Sequence, residues 1–246
     1  MIRDANFWNN KWPRAPILYG GRVLRTGTES IGCDVKNFIT VNDELIKRVV
    51  EYYHLRKPTL NETALACQQF VVKFLTYKYD DDANKCPEFW QFPFETLQSE
   101  VGDCEDGAIL TATLCIHAGI PAYRVKVAAG YVQDAPTAPQ GGHAYCIYLA
   151  DRGKNNEDWV ILDWCYYEDS RLPIERKPLA KDGGYNKCYK DVWFTFNNEL
   201  SWNQQSLVLE SRISENQTLI QEAVISRNED MVDSIINKID TKINKG

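Results

Sequence analysis

The stretch VGDCEDGAILTATLCIHAGIPA, residues 101–122, fixes a helix at both ends and then forbids its continuation. Asp103 stands at the N-cap position, and Asp106, three residues later, serves as a short-armed capping-box partner. Gly119 supplies the left-handed turn that ends a helix, and Ile120-Pro121 blocks further turns. The period then changes. In AYRVKVAAGYVQ, Tyr123, Val125 and Val127 fall on one face, which predicts a strand.

The surrounding pattern sorts the same way. Asn42 or Asp43 can cap DELIKRVVEYYHL, in which Leu45, Ile46, Val49, Val50 and Tyr53 recur at helical spacing until Pro58. Thr59 opens a second amphipathic helix, LNETALACQQFVVKFLTY, with Cys67 as a small core residue. After residue 122 the strands AYRVKVAAGYVQ, HAYCIYLA, DWVILDWCYY and YKDVWFTFNN follow one another, the middle two as an antiparallel pair. Helices first and strands afterwards indicate an α+β fold. Residues 1–40 read as an N-terminal arm, 41–209 as the core domain, and 210–246 as a C-terminal helix. In that helix Ile213, Leu219, Ile220, Val224, Met231, Ile235, Ile239 and Ile243 mark a narrow stripe, suited either to packing on its own domain or to self-association and partner binding.

Composition removes several classes. A net charge of −6 argues against a nucleic-acid footprint. No apolar run reaches the roughly 18 residues of a membrane span, and the polar, aromatic start does not resemble a signal peptide. A cytoplasmic protein is the expectation. Eight cysteines in 246 residues, without CxxC spacing, read as reduced thiols and give no metal site, and no cofactor is expected.

Cys104 therefore needs a different account. It lies in the first turn of its helix, where the positive helix end favours a thiolate. Asp103, Glu105 and Asp106 oppose that, unless Asp103 and Asp106 are spent as caps. A histidine would complete the activation. His117 is on the same helix, about 20 Å away at helical rise, and His54 ends an early helix. His143 follows Gly141-Gly142 at the start of a strand and can take the thiol proton. Asp163, set in the apolar run WVILDW, either ends its strand at a turn or orients that histidine across an antiparallel pair.

Taken in order, GDCEDGAILTATLCIHAGIPAYRVKVAAGY, GGHAYCIYL and WVILDW resemble the core of the transglutaminase-like superfamily, over roughly residues 60–165. FWQFPFETLQSEVGDC resembles the lead-in of bacterial and phage members. Two departures stand out: PAYR displaces an arginine to Arg124, and Tyr145 replaces the usual tryptophan after the histidine. The resemblance implies a papain-like α+β fold with the nucleophile helix packed on an antiparallel sheet. It implies Cys104 as nucleophile, His143 as general base and acid, and Asp163 as its orienter. The reaction implied is attack on an amide carbonyl of a protein or peptide through a thioester, completed by water or by an amine. The Cys104 N–H is one oxyanion donor, with Gln98 and Trp90 as candidates for the second.

A different class fits the same chain. An aromatic N-terminal arm and a long C-terminal helix suit a scaffold protein that keeps the fold within an assembly such as a phage particle, which would place it in a virion.

Overall fold

The computed structural model describes residues 3–23, 30–84, 88–154, 156–203 and 229–245. The helices are α1 (Ala5–Asn9), α2 (Glu44–Tyr52), α3 (Leu60–Phe74), α4 (Asp80–Ala83), α5 (Pro93–Ser99), α6 (Cys104–His117) and α7 (Glu229–Lys245). The strands are β1 (Leu18–Val23), β2 (Ser30–Asp34), β3 (Thr76–Tyr77), β4 (Val101–Gly102), β5 (Val125–Val132), β6 (Gly141–Asp151), β7 (Glu157–Leu162), β8 (Tyr189–Phe196) and β9 (Ser201–Asn203). Strands β5 to β9 form one antiparallel sheet in the order β7-β6-β5-β8-β9. The α+β expectation is met.

Helix α6 is the centre of the core. Every residue of α6 from Glu105 to Cys115 is buried, so it has no polar face, as expected of a helix enclosed on all sides. Its hydroxyls are satisfied within the helix: Thr111 donates to Gly107 O at 2.7 Å and Thr113 to Ile109 O at 2.8 Å. Helices α2, α3 and α5 pack on it from one side and the sheet from the other. Side chains alternate along β6: Cys146, Tyr148 and Ala150 join the core around α6, while Tyr145, Ile147 and Leu149 join a smaller cluster on the opposite face.

Three boundaries differ from the sequence reading. The strand expected from residue 122 begins at Val125, because Ala122–Arg124 makes one 3-10 turn after Pro121. That turn sends the displaced Arg124 inward, where Nη1 donates to Leu149 O at 2.9 Å and Nη2 pairs with Glu157. Strand β7 stops at Leu162 rather than continuing through Tyr167. The boundary at residue 40 is not a boundary in packing, since Trp8, Tyr19, Val35, Phe38 and Ile39 before it are all buried.

Helix α7 carries the end of the expected C-terminal stripe; residues 210–228 lie outside the described residues. Val232, Ile235, Ile236 and Ile239, at helical spacing, are buried in the main core. Tyr52 and Tyr53 donate to Asp240 at 2.6 and 2.8 Å, Arg48 pairs with Asp233, and Lys242 lies 3.4 Å from Glu100. The apolar stripe of α7 is thus spent on its own chain, which leaves self-association without that face.

Candidate active site

Strand pairing brings the site together. Cys146 pairs with Leu162 at the end of the β6–β7 ladder. Asp163, one residue further, therefore falls beside the start of β6, where His143 stands. His143 Nε2 lies 2.6 Å from Asp163 Oδ2. An ionised carboxylate only accepts, so Nε2 carries the hydrogen and Nδ1 is left as the basic nitrogen. Asp163 also ends its strand in a turn: Oδ1 accepts from the N–H groups of Cys165 and Tyr166 at 3.0 and 3.3 Å. One carboxylate thus contacts His143 and closes the turn after β7.

Asp163 is fully buried and stays ionised because donors surround it. Burial alone would raise its pKa; His143, the Tyr189 hydroxyl at 2.6 Å and the Cys165 N–H outweigh that and hold it below the ordinary 3.8. Gln68, from α3, fixes the backbone behind it, donating to Asp163 O at 2.6 Å and Glu168 O at 2.5 Å. On β5, Gly130 faces His143; a side chain there would meet Asp191 O at 2.2 Å, where β8 bulges.

Cys104 opens α6 half-buried. The backbone N–H of Ala144, next in chain to His143, acts on the sulfur in the direction that favours the thiolate. The next loop is fastened to the same turn, since Trp164 Nε1 donates to Cys104 O at 3.2 Å. Its indole lies so close to α6 that a Cβ on Gly107 would sit 2.2 Å from Nε1. Sequence reasoning missed Tyr189, Gln68 and the Gly107–Trp164 contact, because each comes from a distant segment.

Residues 47–164 match the family described as the transglutaminase-like superfamily. This core is transglutaminase-like. Among solved structures, calcium-bound Legionella pneumophila LapG is similar at 19% identity and a TM-score of 0.47, over 75% of this chain and 85% of that one. EGTA-treated Legionella pneumophila LapG is similar at 17% identity and a TM-score of 0.48, over 74% and 96%. No curated protein matches the sequence.

Two sequence candidates of the transglutaminase-like site fall elsewhere. Trp90 is a core aromatic, stacked on Tyr19 at 4.9 Å between ring centres, and its indole N–H is spent on Glu88 Oε1 at 2.7 Å. It is not free to serve an oxyanion. Gln98 stands exposed on α5. The buried amide of this segment is Gln91, whose N–H and Nε2 donate to the two oxygens of Asp106 at 2.7 and 2.5 Å.

The acids around Cys104 are more than caps. Asp106 does accept the Asp103 N–H, at 3.3 Å. Glu105, however, is turned inward and accepts the Cys104 thiol at 3.2 Å. Burial, then Glu105 and Asp103, push the thiol well above its ordinary pKa, against the Ala144 N–H. The helix end does not win on its own, because three carboxylates share its first turn. Asp103 is itself pushed up to about 6, by burial first and then by Asp80 and Glu88, while burial and Asp103 raise Glu105 and Asp106.

Asp80 completes this cluster from α4. Carboxylate oxygens of Asp80, Asp103 and Asp106 lie within 4.8 Å of one another, as do those of Asp80, Glu88 and Glu105. Among the described residues, Asp103 Oδ1 and Glu105 Oε1 are buried with no hydrogen-bond partner. Oxygen-only donors with spare buried lone pairs fit a hard divalent cation. The sequence reading placed no metal here, because it weighed cysteine spacing, took Asp103 and Asp106 as caps, and could not see Asp80 arrive from another helix.

Proposed function

We propose that the chain is a cysteine-dependent hydrolase or acyltransferase that acts on an amide carbonyl of a protein or peptide. The observation that carries this is the His143–Asp163 pair at 2.6 Å, which leaves Nδ1 of His143 as the free base at the end of β6 where Ala144 meets the Cys104 sulfur. In this reading His143 Nδ1 takes the thiol proton and Sγ attacks the carbonyl carbon. Asp163 holds the imidazole and balances the imidazolium. As the first residue of α6, Cys104 has an N–H without a partner inside the helix, and that donor stabilises the oxyanion. The imidazolium then protonates the departing amine. Water or an acceptor amine releases the thioester.

The acidic cluster belongs to the same reading. Asp80, Asp103, Glu105 and Asp106 would hold a divalent cation such as calcium. Bound there, it supplies positive charge beside the thiol. The residues themselves then cease to oppose ionisation of Cys104.

The test is acylation by p-nitrophenyl acetate, followed by intact mass and peptide mapping. One acetyl group on Cys104, absent from Cys104→Ser and slowed at least about 100-fold in His143→Ala, supports the reading. Acetylation that is equal in the parent and His143→Ala overturns it.

A further inference from the structure

The face of the sheet turned away from α6 holds a second constellation. A cavity of about 300 Å³ opens between the sheet and the segment after α1. At its wall stands Lys126 of β5, 1% exposed, whose Nζ has no hydrogen-bond partner among the described residues. Three indole rings surround that amine: Trp202 at 3.4 Å, Trp12 at 4.3 Å and Trp159 at 5.1 Å from Nζ to ring centre. Ring faces attract a cation, but they do not replace acceptors for an ammonium's three N–H groups. A buried cation left in this state is costly. Among the described residues Asp158 is the one carboxylate lining the cavity, and it is already engaged, by Lys181 and by the Trp159 N–H at 2.9 Å. Lys190 donates to Lys187 O at 2.6 Å, and Lys11 sits over Trp8 and Trp12. The lining thus offers apolar walls and an excess of positive charge, with one amine lacking a counter-ion.

We propose that this cavity binds a small organic carboxylate with an apolar body, the carboxylate pairing with Lys126 and the body lying along Trp12, Trp159, Ile147 and Val192. Pockets of this size and character, with a few fixed polar groups in an apolar lining, suit small ligands. The state of the amine agrees. Burial, with Lys11 adding to it, brings Lys126 down to about 7, so a carboxylate partner draws a proton onto it at slightly alkaline pH. The other titratable groups lining the cavity are Lys11, Lys181, Lys190, Asp158 and Tyr145. The proposal does not depend on the chemistry assigned to Cys104.

The experiment is calorimetric titration of the full chain with 4-phenylbutyrate, 4-phenylbutan-1-ol and 4-phenylbutylamine at pH 7.5, in two buffers of different ionisation enthalpy. Saturable one-to-one binding of the carboxylate is expected, at least about tenfold tighter than either control, which corresponds to about 1.4 kcal/mol, with net proton uptake. Lys126→Met keeps the side chain's bulk and removes the charge; it should abolish both the preference and the proton uptake while retaining the melting temperature. The comparison among the three ligands needs no variant, so it stands if that one fails to fold. Absence of saturable binding, equal affinity for carboxylate and alcohol, or a folded Lys126→Met that binds the carboxylate as tightly as the parent would each overturn the proposal.

Discussion

The Nε2 atom of His143 lies 2.6 Å from Oδ2 of Asp163, a carboxylate with no exposed surface. That pair fixes the tautomer of the histidine and leaves Nδ1 as its base. Asp163→Asn keeps the shape but offers Nε2 a mixed donor and acceptor, so the correct tautomer is no longer enforced. Acylation of Cys104 by p-nitrophenyl acetate is expected to fall by about 100-fold or more, with the far-ultraviolet circular dichroism unchanged. A fall of less than threefold would remove Asp163 from the mechanism.

Tyr189 tests how Asp163 is kept charged. Its hydroxyl donates to the same oxygen that serves His143. Tyr189→Phe should cost about 1.5–3 kcal/mol at pH 7, the range for a hydrogen bond to a charged group. Asp163 has a depressed folded pKa, so its stabilisation is present above the ordinary carboxylate range and is lost as pH falls through the folded value, below 3.8. The difference between parent and variant should therefore shrink in strong acid. Urea melts at pH 7 and pH 2.5 measure it, and a difference unchanged between them would count against this account.

How much of this was legible in the chain divides along contact distance. The capped start and proline-blocked end of α6 are local, and periodicity places Cys104 and His143 at element starts, whereas the end of β7 just before Asp163 did not show. The 3-10 turn at Ala122–Arg124 was hidden because one turn of that kind still alternates like a strand. Glu105 was harder. In a helix buried on every side, no polar face shows which acid turns inward. Asp80, Gln91, Gln68 and Tyr189 reach the site from α4, the loop before α5, α3 and β8, so only the packed fold joins them. The two sheet faces were also indistinguishable in sequence, which is why Lys126 among its tryptophans went unnoticed.

The acidic cluster should leave a signature in stability. Asp103 rises from 3.8 to about 6 on folding, so the native state holds that proton more tightly than the unfolded chain. The associated stability is present below about pH 4 and is lost as pH climbs through about 6. Asp103→Asn removes this loss. It should be more stable than the parent at pH 7.5 by about 1–3 kcal/mol, given about 1.4 kcal/mol per pKa unit, and should show no such gain at pH 4. Calcium should stabilise the parent at pH 7.5 by occupying the same charges. Melting curves at both pH values, with calcium and with EGTA, measure both effects. A stability gain in Asp103→Asn that is equal at the two pH values would refute the titration.

Gly107 tests the fastening of the first turn of α6. A methyl group there would lie 2.2 Å from Trp164 Nε1, so the indole must withdraw and give up its bond to Cys104 O. Gly107→Ala should destabilise by about 1–3 kcal/mol, the usual cost of overpacking, even though alanine favours helix. Pairing it with Trp164→Leu should recover part of that loss, since the clash disappears with the ring. Urea melts of the two single variants and the double variant decide this. Strictly additive losses would mean that the contact does not hold the loop to α6.

Glu105 decides the resting state of the thiol. It accepts the Cys104 S–H at 3.2 Å, and after burial it is the largest influence raising that thiol. A neutral amide at this position removes the nearest negative charge while keeping the side chain's size. Glu105→Gln should therefore lower the apparent pKa read from the pH dependence of iodoacetamide alkylation. A tenfold fall in the acid's proton affinity gives about a tenfold gain in thiolate at pH 7. His143→Ala in the same background should lose the gain, because the proton then has no acceptor. Calcium should raise the alkylation rate of the parent and leave Glu105→Gln less affected, since the cation acts through the charge that the variant lacks. If Glu105→Gln alkylates no faster than the parent at pH 7, Glu105 is a packing residue, and burial with Asp103 is what holds the thiol pKa up.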